Sequence, residues 1–377
     1  MLALRLARGA HPLVLLRRLL VAAASAGVGF LLLTTLTYAS SHPAHAPQAL
    51  LRLLWSLIPM AATVYFAVSV ARTDPSTRPS PGLSAAGLGP VSLTALAAVS
   101  TAVSCTLGSV LALLFFLHLR GDITGLPFDG AASRLLASEA PLPLAAALTL
   151  LALTPVLAAA GSAWTLRPRK ASGAPLTAPT GLPWGIALIA AGLATESYTS
   201  RAAAGTPFPL PGHFDGSPLG VLAGWTLTAF GLATAGPGLT YAAGRALQSV
   251  RPGAVRLLAG RVLQAEARRI GRPLGVVCAV TSGVIAAATV YAPGPHSFGP
   301  LTGLGAAVVV ICAVATLLMA ALESKQARSV TTTALLKLGA PAQLLRTATA
   351  LRAAALLAVF APLTWAVAAL AALPLTG

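Results

Sequence analysis

The residues able to carry chemistry are few, and most sit at the edges of long apolar blocks. Of the 6 histidines, His42, His45, His213 and His296 fall between blocks, and His118 lies close to a block end. His42 and His45 are three apart, and Asp215 follows His213 by two, so imidazole and carboxylate are available as metal ligands or proton carriers. No spacing completes a ligand set, and Pro43, Pro47, Pro211 and Pro295 beside them mark turn-forming polar pieces. We therefore expect no metal site. Nucleotide chemistry is excluded more firmly. A phosphate-binding loop needs GxxxxGK[ST], and the lysines here are Lys170, Lys325 and Lys337, none of which follows a glycine. The acids and histidines form no recognisable catalytic constellation, so the chain is expected to be no enzyme and to carry no cofactor. Cys105, Cys278 and Cys312 all fall inside apolar blocks without a loop partner, which predicts small packing residues rather than disulfides or a thiolate zinc site.

The elements that must hold these residues are read from hydropathy. The chain has 377 residues, 56% hydrophobic and 9% charged, against about 25% charged in a soluble domain. A helix rising about 1.5 Å per residue needs about 20 apolar residues to cross a bilayer core. Nine blocks qualify: 19–39, 50–71, 92–118, 142–165, 182–198, 219–243, 274–292, 302–322 and 349–374. The fifth is the shortest. Continuous apolar runs such as Val308–Leu322 exclude the alternating pattern of a barrel strand. The fold class expected is an all-α integral membrane protein with about nine transmembrane helices. The first block is too long for a cleaved leader's apolar core of about 7–15 residues and is expected to stay as a helix.

The formal net charge of +17 invites a nucleic-acid reading, but the placement of the charges opposes it. Count the N-terminus as inside. Of 25 Lys and Arg, only Arg52, Arg120, Arg134 and Arg201 then fall on outer pieces. That asymmetry is the positive-inside signature. It predicts a plasma-membrane protein with a cytoplasmic N-terminus and an extracytoplasmic C-terminus, its basic loops resting on anionic lipid and binding no nucleic acid. Charges within reach of the spans are Arg52, Glu196 and Arg352. All three lie near span ends, where they are expected to act as interfacial anchors.

An internal repeat is visible. Offset by 256 residues, Val21, Ala23, Gly27 and Val28 meet Val277, Ala279, Gly283 and Val284; offset by 250, Leu88-Gly89 meets Leu338-Gly339. Both halves run in the same order: a basic amphipathic stretch, a helix out, a short outer loop, a helix in, an inner loop with Leu-Gly and Pro, and a helix out. The expected organisation is a first repeat of four helices over 1–165, a linker with two transmembrane helices over 166–250, and a second repeat over 251–377. The second repeat opens with Arg251–Arg272. It is expected as a separate helix lying on the membrane surface, with Pro252 and Pro273 bending the chain at its ends.

The segment 323–346 is the most informative. It lies between two spans and combines Glu323, Lys325 and Arg328 with a short apolar helical pattern at Leu335, Leu338, Leu344 and Leu345. The box Leu335-Leu336-Lys337-Leu338-Gly339-Ala340-Pro341 resembles the cytoplasmic coupling segment of FtsX/MacB-like ABC transporter permeases. The first half carries a degraded copy, Leu88, Gly89 and Pro90, and only Ser40–Gln48 joins the first two spans, with no large outer domain. The resemblance implies two FtsX-like repeats and the membrane-spanning permease subunit of an ABC-type transporter. It also implies a separate ATPase that grips Glu323, Lys325, Arg328, Leu335, Lys337, Leu338, Gly339 and Pro341, and assembly as a homo- or hetero-oligomer. A short rigid helix between spans is a lever that an ATPase outside the membrane can pull, and Gly339 with Pro341 would end it. The competing expectation is a non-transporting membrane regulator or scaffold derived from such a permease.

Overall fold

Prolines mark where the helices begin. A computed structural model of the chain describes residues 12–74, 89–123, 125, 130–133, 136, 138, 141–167, 178–202, 218–249, 253–291, 299–339 and 341–376. Its elements are α1 (Pro12–Ser41), a 3-10 turn (Pro43–His45), α2 (Ala46–Thr73), α3 (Pro90–Arg120), α4 (Leu144–Leu166), α5 (Gly181–Ala202), α6 (Pro218–Ser249), α7 (Ala254–Tyr291), α8 (Pro300–Lys337) and α9 (Ala342–Thr376). Pro90 and Pro300 each open a helix, where a missing N–H costs nothing and φ is already helical. Glycines end two of them. Gly121 (φ 94°) donates its N–H to Leu117 O and His118 O, and Gly339 (φ 86°) donates to Leu336 O.

Seven helices are long and apolar enough to cross a membrane: α1, α2 with its preceding turn, α3, α4, α7, α8 and α9. They make the chain a multi-pass helical membrane protein. Helices α5 and α6 occupy the fifth and sixth expected blocks, but they fall outside these seven. Their Gly, Thr and Ser content and Glu196 lower their hydropathy. Elsewhere the outward faces are apolar: Val99, Val103, Leu107, Leu111, Leu114 and Phe115 of α3 are all exposed, as lipid contact requires.

The separate surface helix expected over Arg251–Arg272 does not form. Helix α7 is one element of 38 residues that runs through Pro273 into the span. One face of its basic part packs inward. Ala259, Leu263 and Ala267 are buried, and Gly260 and Gly271 meet α6. Packing along α6 is the stronger constraint, because close helix contact restores what the proline takes from the hydrogen-bond ladder.

By its contacts the chain falls into two units, 1–171 with 298–312 and 172–297 with 313–377. In the first, α1 packs on α3, α4 and α2. Leu33, Ala112, Phe116, Leu136, Ala147 and Leu151 form its core. Hydroxyls stitch the helices together: Ser25 donates to Cys105 O at 2.9 Å and Ser109 to Leu151 O at 3.1 Å. At one end Arg18 of α1 pairs with Asp74, the residue that closes α2, at 2.7 Å.

In the second unit, α5, α6 and α7 form a chain of closely packed neighbours, with α9 laid on α7. Glycine makes the approach possible. A Cβ on Gly224 would stand 2.8 Å from Gly192 O, and one on Gly231 would stand 2.8 Å from Gly185 O. On its other face α6 meets α7 at Gly236 against Gly271 and at Gly244 against Gly260. These small residues let the helix backbones touch. Leu232, Cys278, Phe360 and Val367 fill the space under α9, where Thr364 Oγ1 lies 3.0 Å from Cys278 Sγ.

Candidate functional site

The expected coupling segment is not a separate short helix. It is the unbroken continuation of α8, which runs 38 residues, about 57 Å, well beyond a bilayer core of about 30 Å. The part after residue 322 alone is about 22 Å long at the helical rise. It ends as the sequence suggests. Lys337 is the last helical residue, Gly339 takes the left-handed conformation, and α9 begins at Ala342 just after Pro341.

Along this extension the side chains divide by height. At its base Ser324 is fully buried and Glu323 is half-buried, while Lys325 is exposed. Arg328 is the anchor. Its Nε lies 2.8 Å from Glu266 Oε1 of α7, its Nη2 donates to Ser324 Oγ at 2.9 Å, and Nε also reaches Ser324 O at 3.2 Å. Glu266 is a partner of this segment that sequence reading did not single out. An isolated acid in an otherwise basic helix, flanked by Arg261, Arg268 and Arg269, was the available signal. The face that buries Ala259, Leu263 and Ala267 also buries Glu266, so it must find a cation, and Arg328 is that cation.

Beyond Arg328 most of the described side chains are exposed. Leu336, Lys337 and Leu338 are exposed, Leu338 at 84%, and Gly339 and Pro341 are exposed too. Leu335 lies in the same helical turn, with its side chain outside the described set. An apolar side chain held on a rigid, solvent-facing helix end is the type of anchor that a partner's groove takes up.

The first-repeat copy differs. Leu88 lies outside the described residues. Gly89 is the N-cap of α3 and Pro90 its first residue, with Ser92 Oγ donating back to Gly89 O at 2.6 Å. Helix α2 stops at Thr73, only a short way past its apolar block.

The expected interfacial anchors separate into two kinds. Arg52 is exposed and lies over the Tyr38 ring at 3.5 Å. Arg352 is half-buried and donates to Ala348 O and Thr349 Oγ1. Glu196 is no snorkelling anchor. It is 1% exposed, and Trp225 Nε1 donates to its Oε1 at 2.5 Å. It lies on the α5 face that packs against α6, so burial there follows from helix rotation rather than from distance to the span end.

Of the outer histidines, His42 stacks on Tyr38 and its Nδ1 lies 2.8 Å from Ser41 Oγ, while His213 and His296 lie outside the described residues. Among the described residues no three His, Cys, Asp or Glu side chains come together as a metal site. The three cysteines are buried and in no disulfide.

No family model, no curated protein and no solved structure matches this chain.

Proposed function

We propose that this chain is the membrane-spanning permease subunit of an ABC-type transporter, catalytically inert itself and driven by a separate ATPase. The observation that carries this reading is the continuity of α8 from an apolar span to an exposed tip at Leu338. A force applied at the tip is transmitted along one helix, without a joint, into the membrane. The Glu266–Arg328 pair at 2.8 Å fixes the lever's base to α7, so the tip moves with that helix pair. In this reading α5 and α6 are the remaining two spans of nine, the helices form two FtsX-like repeats, and the basic ends face the cytoplasm at the plasma membrane. The exposed Arg245, Arg261, Arg268, Arg269 and Arg272 suit anionic headgroups there.

One observation favours the second reading, a regulator or scaffold derived from such a permease. The first repeat's equivalent helix, α2, ends at Thr73, and the described residues there hold no comparable lever. A transporter moved symmetrically needs two grips, whereas a device that relays force needs one.

The test is co-purification in mild detergent with the ABC ATPase identified by mass spectrometry, comparing wild type, Leu338→Asp and Leu88→Asp at matched membrane levels. Losing one buried anchor costs about 2 kcal/mol, so Leu338→Asp should retain less than about a tenth of the ATPase. Leu88→Asp should retain most of it. Equal retention by all three removes the coupling role. Retention without substrate movement in reconstituted vesicles puts the regulator first.

A further inference from the structure

Glu196 is the buried acid that the lever mechanism does not use. Its side chain belongs to α5 and is 1% exposed. The wall around it comes from the second unit's own helices. Gly224 of α6 approaches so closely that a Cβ there would stand 3.1 Å from Glu196 Cβ. Trp225 packs with Leu193, with Ala286 of α7 and with Ala371 and Ala372 of α9, and it covers Gly283 of α7 as well. None of these residues is charged or titratable. The other ionisable residues near it on α5 are Tyr198, exposed at 60%, and Arg201 at the helix end. Glu196 is in none of the ion pairs among the described residues.

The two carboxyl oxygens are not equivalent. Oε1 accepts from Trp225 Nε1. Indole N–H is a donor only, so Oε1 must act as the acceptor oxygen. Oε2 is fully buried and has no hydrogen-bond partner among the described residues. A bare carboxylate oxygen in an apolar shell is among the most costly groups a membrane protein can hold. Two species could relieve it, a cation or a proton. A metal cation needs several oxygen ligands, about six or more for the hard divalent ions, and among the described residues Glu196 is in no group of three His, Cys, Asp or Glu side chains. A proton needs only Oε2.

We infer that Glu196 is a proton-binding site, taking H⁺ on Oε2 while Trp225 fixes Oε1. The reaction is simple addition: the carboxylate and one proton give the neutral carboxyl, with no other reactant. Release of the proton leaves a charge that only water or a partner can stabilise. The close contacts of Gly224 on Glu196 and of Gly220 on Thr199 would have to open to admit either. Proton occupancy and closure of α5 on α6 are therefore linked. This inference stands apart from the permease reading, since it uses neither α8 nor an ATPase.

The test uses full-length protein in lipid nanodiscs and dicyclohexylcarbodiimide, an apolar reagent that reacts with protonated carboxyls. The acid's proton passes to a diimide nitrogen and the carboxylate oxygen bonds to the central carbon. The adduct then rearranges to an N-acylurea with every atom retained. Peptide mass spectrometry should place the adduct on Glu196, with yield falling at least tenfold from acidic to alkaline pH. A water-soluble carbodiimide should label Glu196 at least tenfold less than the half-buried Glu323. Infrared spectra, which need no reagent access, should show a carboxylic C=O band at neutral pH that is missing in Glu196→Gln. Labelling that ignores pH, equal labelling by the water-soluble reagent, or no band difference between wild type and Glu196→Gln each overturns the proposal.

Discussion

Replacing Arg328 by alanine strands Glu266. The Glu266 side chain is 10% exposed and that of Arg328 is 31% exposed, so the pair sits between two known regimes. Solvent-exposed ion pairs contribute about 0–1 kcal/mol, and breaking a buried one costs about 3–5 kcal/mol because one charge is left without a partner. One nearly buried partner and one a third exposed place Arg328→Ala at about 2 kcal/mol of destabilisation. The cost is asymmetric. Glu266→Gln removes the buried charge and leaves an amide that can still bond Ser324, so it should cost less than about 1 kcal/mol. The double variant should then recover most of the Arg328→Ala loss. The three buried thiols Cys105, Cys278 and Cys312 provide the assay, since a maleimide dye reacts with them only as the protein unfolds. Detergent-solubilised variants heated with the dye should unfold in the order Arg328→Ala first, the double variant next, then Glu266→Gln close to wild type. If Arg328→Ala unfolds with wild type, or if the double variant is worse than Arg328→Ala alone, the clamp at the base of α8 contributes nothing and the argument from burial fails.

Glycine contacts make a second test. Gly236→Leu drives a side chain into Gly271 O of α7 and should abolish folding or cost more than about 3 kcal/mol, whereas Gly303→Ala, with nothing within 4 Å, should be neutral or gain up to about 1 kcal/mol from helix propensity; the same thiol assay reads both. At the lever tip, Gly339→Ala puts a Cβ on a residue at φ 86° and should cost about 1–2 kcal/mol, read as early hydrogen exchange confined to the α8–α9 turn. Reporter fusions test the charge asymmetry: those at Lys170, Arg256 and Gln326 should read cytoplasmic and those at Gly130, Gly216 and Gly377 extracytoplasmic, and a cytoplasmic signal at Gly377 would make the number of spans even. Folded protein should take up no maleimide dye on Cys105, Cys278 or Cys312 below its unfolding temperature, measured by intact mass.

Helix positions were legible because they follow from local sums. Long apolar runs cannot be left in water, and a backbone in lipid has few solutions, so α1 to α4, α8 and α9 overlap the expected blocks. The stop at Gly339 was legible for a similar reason, since one residue type alone favours a left-handed φ. Partners were not legible. Composition shows that Glu196 lies near the end of a block, but only the rotation of α5 against α6 turns its carboxyl onto Trp225 instead of toward solvent. Pro273 reads as a helix boundary in isolation, yet α7 continues through it, with Gly271 and Gly275 on either side both packed against Gly236 of α6. Glu266 and Arg328 lie on different helices, α7 and α8, and no periodicity within either helix links them. The sequence by itself determined which stretches are helical and which are apolar, because each residue's transfer energy is its own. The tertiary structure decided which charges are buried and what faces them, because burial belongs to a pair of surfaces.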